Sequence, residues 1–397
     1  MNNLRIISFL PAATEMVFAL GLGDALVGVS HECDFPAAAK TKPVVVKPVL
    51  PLDKMSLSEI DIAVAERIGS GQNLYAVDED LLRELKPNLI LTQNLCQVCG
   101  PAGNEITVAL KLLQPKPEII WMSPHSLADI FQNLRDLGAA TGGATQAEEL
   151  IASSRARLEQ ISARTKNLSR PKVFCLEWVD PYYCCGHWVP EMIELAGGED
   201  ALGRKGVDSV RIPWTDIAAR SPEILIVSPC GFGVEKAVEQ TQRLLQRPGW
   251  SDLPAVRHDR VFAVNANAYF ARPGPRVVDG VELLAHLIHP ELCGWNGPDD
   301  AFRQVKVAGQ TTGAKGPQVS PASCHPQLST FDFRSVRLRV KVCPECGAEF
   351  FCGPKSGSDR CWCDELPPLP PSTAPGADCL CPACLAKAVE KLRVEKS

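Results

Sequence analysis

Three things are missing from this chain, and each absence removes a class of explanation. No apolar run approaches the roughly 18 residues that a membrane-crossing helix needs, so membrane insertion is not expected. There is no cationic surplus: 41 Lys and Arg stand against 46 Asp and Glu, a net charge of −5. Nothing therefore draws the chain electrostatically toward nucleic acid or an anionic bilayer. No GxSxG elbow, phosphate-binding P-loop or paired-carboxylate arrangement occurs, and Gly21-Leu22-Gly23 lacks the rest of a dinucleotide fingerprint. Nothing demands catalysis, and no catalytic residue is assigned. At the N-terminus, Pro11 and Glu15 interrupt the apolar residues before a compact export-signal core and a small-residue cleavage site can be drawn. The cytoplasm is the expected location.

What is present reads as α/β. The chain has 397 residues, enough for two or three domains, with 45% hydrophobic and 22% charged residues, as in ordinary globular proteins. Ala144–Ser169 contains neither Gly nor Pro. Its apolar residues Ala147, Leu150, Ile151, Leu158, Ile161 and Leu168 recur at helical spacing. On each side, short apolar strands alternate with helices: Ile6–Phe9, Leu26–Ser30, Leu89–Thr92 and Ile119–Met122 before it, Val173–Leu176, Ile224–Val227 and Val261–Val264 after it. Leu85-Lys-Pro-Asn-Leu-Ile-Leu-Thr92 is echoed by Arg220-Ser-Pro-Glu-Ile-Leu-Ile-Val227, as two related lobes would require. The expected architecture is two α/β lobes, 1–143 and 170–292, bridged by one long helix over 144–169. A linker over 293–340 then leads to a cysteine-rich module over 341–397.

In open α/β sheets, ligands bind in loops beyond the carboxyl ends of strands. Four such loops carry aromatic, soft or polar groups suited to a large planar ligand. They hold Cys96 and Cys99; Trp178, Tyr182, Tyr183, Cys184, Cys185, His187 and Trp188; Cys230 and Phe232; and Asn267, Tyr269 and Arg272. Cys96, Cys99, His187 and Cys230 also form a conceivable tetrahedral metal or redox set. That gives the alternative of a metal/redox protein or enzyme.

Ser8-Phe-Leu-Pro-Ala-Ala-Thr-Glu15, Leu26-Val-Gly-Val-Ser30, Cys33-Asp-Phe-Pro36, Leu85–Leu91 and Arg272-Pro-Gly-Pro275 together resemble the iron-siderophore/vitamin B12 substrate-binding proteins of ABC importers. Cys96–Cys99 and Gly186-His-Trp-Val-Pro-Glu191 resemble the cobalamin-binding branch of that family. The resemblance covers roughly residues 4 to 292. It implies a class III periplasmic-binding fold with a corrinoid, cobalamin above all, or an iron chelate held between the lobes. It also implies docking to a permease through a surface carboxylate on each lobe, Asp80 and Asp216 by position. An expected cytoplasmic location departs from that family and favours a cytosolic corrinoid-handling partner instead.

The C-terminal cysteines give the strongest spacing signal. Eight of the 17 cysteines (Cys343, Cys346, Cys352, Cys361, Cys363, Cys379, Cys381 and Cys384) lie within 42 residues as two CxxC and two CxC pairs. Thiolates at such spacings chelate Zn, four per ion, and metal supplies the folding energy that so small a core lacks; a disulfide knot or an Fe–S cluster is the competing reading of the same spacing. The stretch resembles the cysteine-rich CWC family, which takes its name from Cys361-Trp-Cys363. A scaffold that recruits a protein partner through this module is the remaining alternative.

Overall fold

The computed structural model describes residues 4–70, 72–93 and 113–306, and the backbone of 339–342 and 349–352. The chain divides into two units, Met1–Thr312 and Gly313–Ser397. The first unit opens with β1 (Ile6–Ser8), α1 (Pro11–Ala19), β2 (Leu26–Ser30), β3 (Val44–Pro48), α2 (Leu57–Gly69), β4 (Tyr75–Val77), α3 (Glu79–Leu85), β5 (Leu89–Thr92), β6 (Glu118–Trp121) and α4 (Leu127–Thr141). A bridging helix, α5 (Ala144–Thr165), leads to β7 (Lys172–Val179), β8 (Tyr182–Cys184), β9 (Gly186–His187), α6 (Val189–Leu195), β10 (Glu199–Asp200) and β11 (Arg204–Lys205). Then follow α7 (Trp214–Arg220), β12 (Ile224–Val227), α8 (Val234–Gln242), α9 (Pro254–Arg257), β13 (Val261–Val264), α10 (Ala266–Tyr269), α11 (Val277–Ile288) and β14 (Phe302–Gln304).

Two mixed sheets result. The first runs β4-β3-β2-β1-β5-β6, parallel except at β3–β4; the second runs β10-β7-β12-β13-β14, with β8 added to β7. Unbroken apolar strands occupy the sheet centres because helices cover both faces. Ile6, Ile7, Ile90 and Leu91, and Leu225, Ile226 and Val227 in the second sheet, are fully buried. Among the described residues no helix is long and apolar enough to cross a membrane.

Helix α5 has 22 residues, and at 1.5 Å per residue it spans about 33 Å. It buries Ala147, Ile151, Ser154, Leu158, Ile161 and Thr165, alternating steps of four and three along one face. It grips both lobes. On α4, a β-carbon added at Gly138 would lie 2.7 Å from the Ala147 β-carbon, so only glycine permits this close crossing. On the other side, Arg157 donates to Asp279 (2.5 Å) and Glu282 (2.6 Å) of α11. The helix ends at Thr165 rather than at the expected Ser169. Thr165 is buried there, and its hydroxyl donates toward Ile161 O (3.1 Å) and Leu195 O (3.3 Å) as the chain turns into β7.

The echoed segments are structurally equivalent. Helices α3 and α7 both end on a left-handed residue, Lys86 (φ 43°) and Ser221 (φ 50°). In each case the next residue is a proline that cannot continue the helix, and the chain enters a central strand.

Two expectations change. Residues up to 306 belong to the second lobe rather than to a linker beginning at 293. Trp295 packs edge-on against Tyr269 (5.8 Å between ring centres), and β14 pairs antiparallel with β13. Polar composition conceals this strand, which is anchored by the buried Ala301 and the partly buried Phe302. Helix α2 is also additional. Its Ile60-Asp-Ile62-Ala-Val64 alternates with a period of two, a strand-like signature inside a helix whose capping box, Ser56 with Glu59, decides otherwise.

In the second unit, Arg339–Val342 and Glu349–Cys352 pair antiparallel, with Cys352 closing the second strand. Cys343, Cys346, Cys361, Cys363, Cys379, Cys381 and Cys384, and also Cys96 and Cys99, lie outside the described residues.

Candidate functional site

The loops that carry the family resemblance meet along the seam between the lobes, and they do so mainly through charge. Glu15, on α1, is 4% exposed. It accepts from Arg276 Nε at 2.8 Å, with Arg272 4.0 Å away. Arg272 also donates to the Asp34 carboxylate and to Glu32 O (3.0 Å), and the Arg276 guanidinium lies 4.0 Å over the Phe35 ring. Thr14 donates to the buried Cys33 thiol at 3.1 Å. Thus Pro11–Glu15, Cys33–Pro36 and Arg272–Arg276, separate in sequence, form one interlobe knot. Burial raises the Glu15 carboxyl above its ordinary value despite the opposing pull of Arg276 and Arg272.

A second interlobe contact closes over α2. Arg211 donates to Asp61 (2.5 Å) and to Tyr183 Oη (2.8 Å), and Tyr183 reaches Asp61 at 3.4 Å. Asp61 is 15% exposed and Arg211 55%. Such a pair contributes little to stability. Asp61→Ala or Arg211→Ala is therefore expected to change unfolding free energy by less than about 1 kcal/mol. Both substitutions should raise ligand association and dissociation rates several-fold, as stopped-flow tryptophan fluorescence would show. Unchanged rates would mean that the contact does not restrict entry.

Besides this knot and the Asp61–Arg211 latch, two imidazoles face each other from opposite lobes. His125 follows β6 and precedes α4; His187 ends β9. Their ring centres are 5.5 Å apart. The His187 ring contacts Asp208 Oδ1 through Nε2 at 3.0 Å, and its side chain is 15% exposed. Burial lowers its pKa, outweighing the pull of Asp208. His187 also holds a left-handed backbone, φ 52°, pinned by His187 N–H to Val207 O (2.8 Å) and Gly206 N–H to His187 O (2.9 Å).

Other expected cleft residues make contacts within the protein. Cys184 and Cys185 are buried in the lobe core, where burial raises both thiol pKa values. Trp188 is 5% exposed and donates its indole N–H to Phe270 O (2.9 Å). Tyr269 is buried against Trp295, and Arg272 belongs to the knot. The polar atoms or surfaces of these five have partners inside the protein. Tyr182 packs against Trp214 beneath Arg247. Trp178 and Phe232 pack together (5.9 Å), Cys230 N–H donates to Glu177 O (3.1 Å), and Asn267 N–H donates to Phe232 O (3.4 Å). Tyr183 sits in the latch and His187 in the imidazole pair. Sequence reading missed His125, Asp61, Arg211 and Asp208, since no motif surrounds them. His125 had one usable signal, its position just ahead of the Ser126 cap at the carboxyl end of a strand.

A pocket of about 380 Å³ lies elsewhere, lined by Arg157, Arg164, Tyr269, Cys293 and Trp295. It belongs to the α5–α11 contact and not to the seam.

Residues 6–268 match the periplasmic binding protein family, and residues 343–386 match the cysteine-rich CWC family. An ABC transporter substrate-binding lipoprotein of Bacillus subtilis is 26% identical over 72% of this chain and 80% of its own length. The structure of the periplasmic vitamin B12 binding protein of Vibrio cholerae shares 25% identity and covers 72% of this chain and 96% of that one, with a TM-score of 0.52. A periplasmic heme-binding protein of Roseiflexus has the same fold, with 23% identity, 72% and 98% coverage and a TM-score of 0.54.

Proposed function

Because the chain belongs to the periplasmic binding protein family, we propose that it is an ABC-type substrate-binding protein whose ligand is a corrinoid held along the interlobe seam. The observation that carries this reading is exposed apolar side chains at or beside the residues that join the lobes. Ile62 (54% exposed) neighbours the latch residue Asp61, and Val207 (43%) shares the opposing loop with Arg211; Phe35 (45%) sits at the knot. A large planar ligand with an apolar edge and polar substituents would cover these groups and reach the imidazoles. The relative named for vitamin B12 is what supports a corrinoid.

Docking to a permease falls to Asp80 and Asp216. Asp80 is 95% exposed in the first turn of α3, and Asp216 is exposed in the first turn of α7, the equivalent helix of the other lobe. For the tail, the CWC match and the thiol spacing support Zn.

Native mass spectrometry of the full chain purified from its own host tests ligand and metal together. The expected masses correspond to one corrinoid and one or two Zn ions. A chain carrying heme, or one that takes up no added cobalamin, would overturn the corrinoid reading.

A further inference from the structure

We propose that His125 and His187 form a two-nitrogen clamp for a transition-metal centre, one imidazole from each lobe, with the remaining coordination positions filled by ligands that arrive with the metal. The geometry is the first support. With metal–nitrogen bonds of about 2.0–2.1 Å, each ring centre lies about 3.2 Å from the metal; the centres are then about 5.2 Å apart in a tetrahedral arrangement and about 6.4 Å when trans. The observed 5.5 Å falls between these limits.

Pre-organisation is the second support. His125 N–H donates to Asp129 Oδ2 (3.0 Å), and Ser126 and Asp129 close a capping box directly behind it. Leu127 N–H, two residues on, donates across the seam to Glu191 Oε2 (3.1 Å), four residues beyond His187. One interlobe hydrogen bond therefore ties together the two segments that present the rings. On the other side, Asp208 accepts at Nε2 of His187. That bond fixes the proton on Nε2 and leaves the Nδ1 lone pair to bind metal, the arrangement in which a carboxylate orients a ligating imidazole. The left-handed backbone of His187 adds strain of the kind retained where geometry matters to function.

Among the described residues, no group of three or more Cys, His, Asp or Glu side chains gathers to hold an ion. Two imidazoles alone make a site in which water completes the shell of a bare ion. They make a specific one for a centre that already carries other donors, such as a metal chelate with open positions.

The test uses the full chain and Co²⁺ alone. Proton NMR of the Co²⁺-loaded protein is expected to show hyperfine-shifted, exchangeable imidazole N–H resonances, one lost in His125→Ala and one in His187→Ala. Each variant should bind Co²⁺ at least about tenfold more weakly at this site, the loss of a single nitrogen ligand costing upward of 1.4 kcal/mol. Thermal melts matching the parent chain, repeated with His125→Gln and His187→Gln, separate ligation from folding. Identical shifted resonances and identical Co²⁺ titrations in parent and variants would overturn the proposal. The outcome is independent of the corrinoid reading: Co²⁺ ligation without cobalamin uptake sustains the clamp and sinks that reading, and cobalamin uptake with no ligation does the reverse.

Discussion

Replacing Glu15 by alanine is expected to destabilise the chain by about 3–5 kcal/mol, the cost of removing one partner from a buried ion pair. Glu15 is almost fully buried, and its removal leaves Arg276 and Arg272, with side chains 18% and 9% exposed, facing a vacated site. Arg272 keeps Asp34, so Arg276 bears most of the loss. Denaturant titration at neutral pH measures it, and Glu15→Gln, which can still accept from Arg276, should recover part of it. The pH dependence has a definite sign. A carboxyl whose pKa is raised on folding binds more protons in the folded state. Its contribution is therefore full below the unfolded value of 4.5 and is lost as pH rises through the raised folded value. The stability of the parent relative to Glu15→Gln should fall across that window and then level off. A flat difference, or a loss below about 1 kcal/mol for Glu15→Ala, would show that the knot is not a structural tie between the lobes.

Gly186→Ala should strike the seam itself. An added β-carbon would lie 2.3 Å from Val207 O and 2.6 Å from Ser209 N, both backbone atoms that cannot swing away. The 207–211 loop must move, and with it Asp208 on His187 and Arg211 on Asp61. Overpacking of this kind costs about 1–3 kcal/mol. Ligand affinity should drop further than stability does, by at least about tenfold, or 1.4 kcal/mol. Calorimetric binding beside a thermal melt separates the two effects. Retained affinity would mean that the loop plays no part in the site.

Much of the fold is legible in the chain because its signals are local. Leu26–Ser30, Leu89–Thr92, Ile224–Val227, Val261–Val264 and Val277–Ile288 begin and end where apolar runs and Gly, Pro or capping residues place them. The repeat of helix end, proline and strand was visible, whereas the left-handed caps at Lys86 and Ser221 that close both helices came from the structure. Where local signals conflicted, reading failed. Helix α2 alternates like a strand, and β14 hides in polar composition because an edge strand needs only Ala301 and Phe302 to anchor it.

The site was legible only in part. Loops after strands supply His187 and Tyr183 to the candidate seam. Yet a side chain in such a loop can face the seam or the core, and sequence does not distinguish the two. Cys184, Cys185, Trp188 and Tyr269 turned inward because the lobe had apolar volume to fill. Arg272 turned to Asp34, more than two hundred residues earlier, because a buried guanidinium must be paired.

The sequence by itself determined the two-lobed α/β plan, the bridging helix and the family, since each rests on periodicity, punctuation and motif order along the chain. Tertiary structure alone decided what those motifs do. It joined Glu15, Asp34, Arg272 and Arg276 into a knot and set His125 opposite His187. Both outcomes pair residues from opposite lobes, and the physical reason is the same. A charge or an imidazole is indifferent to its distance along the chain and responds only to what lies within a few ångströms of it in space.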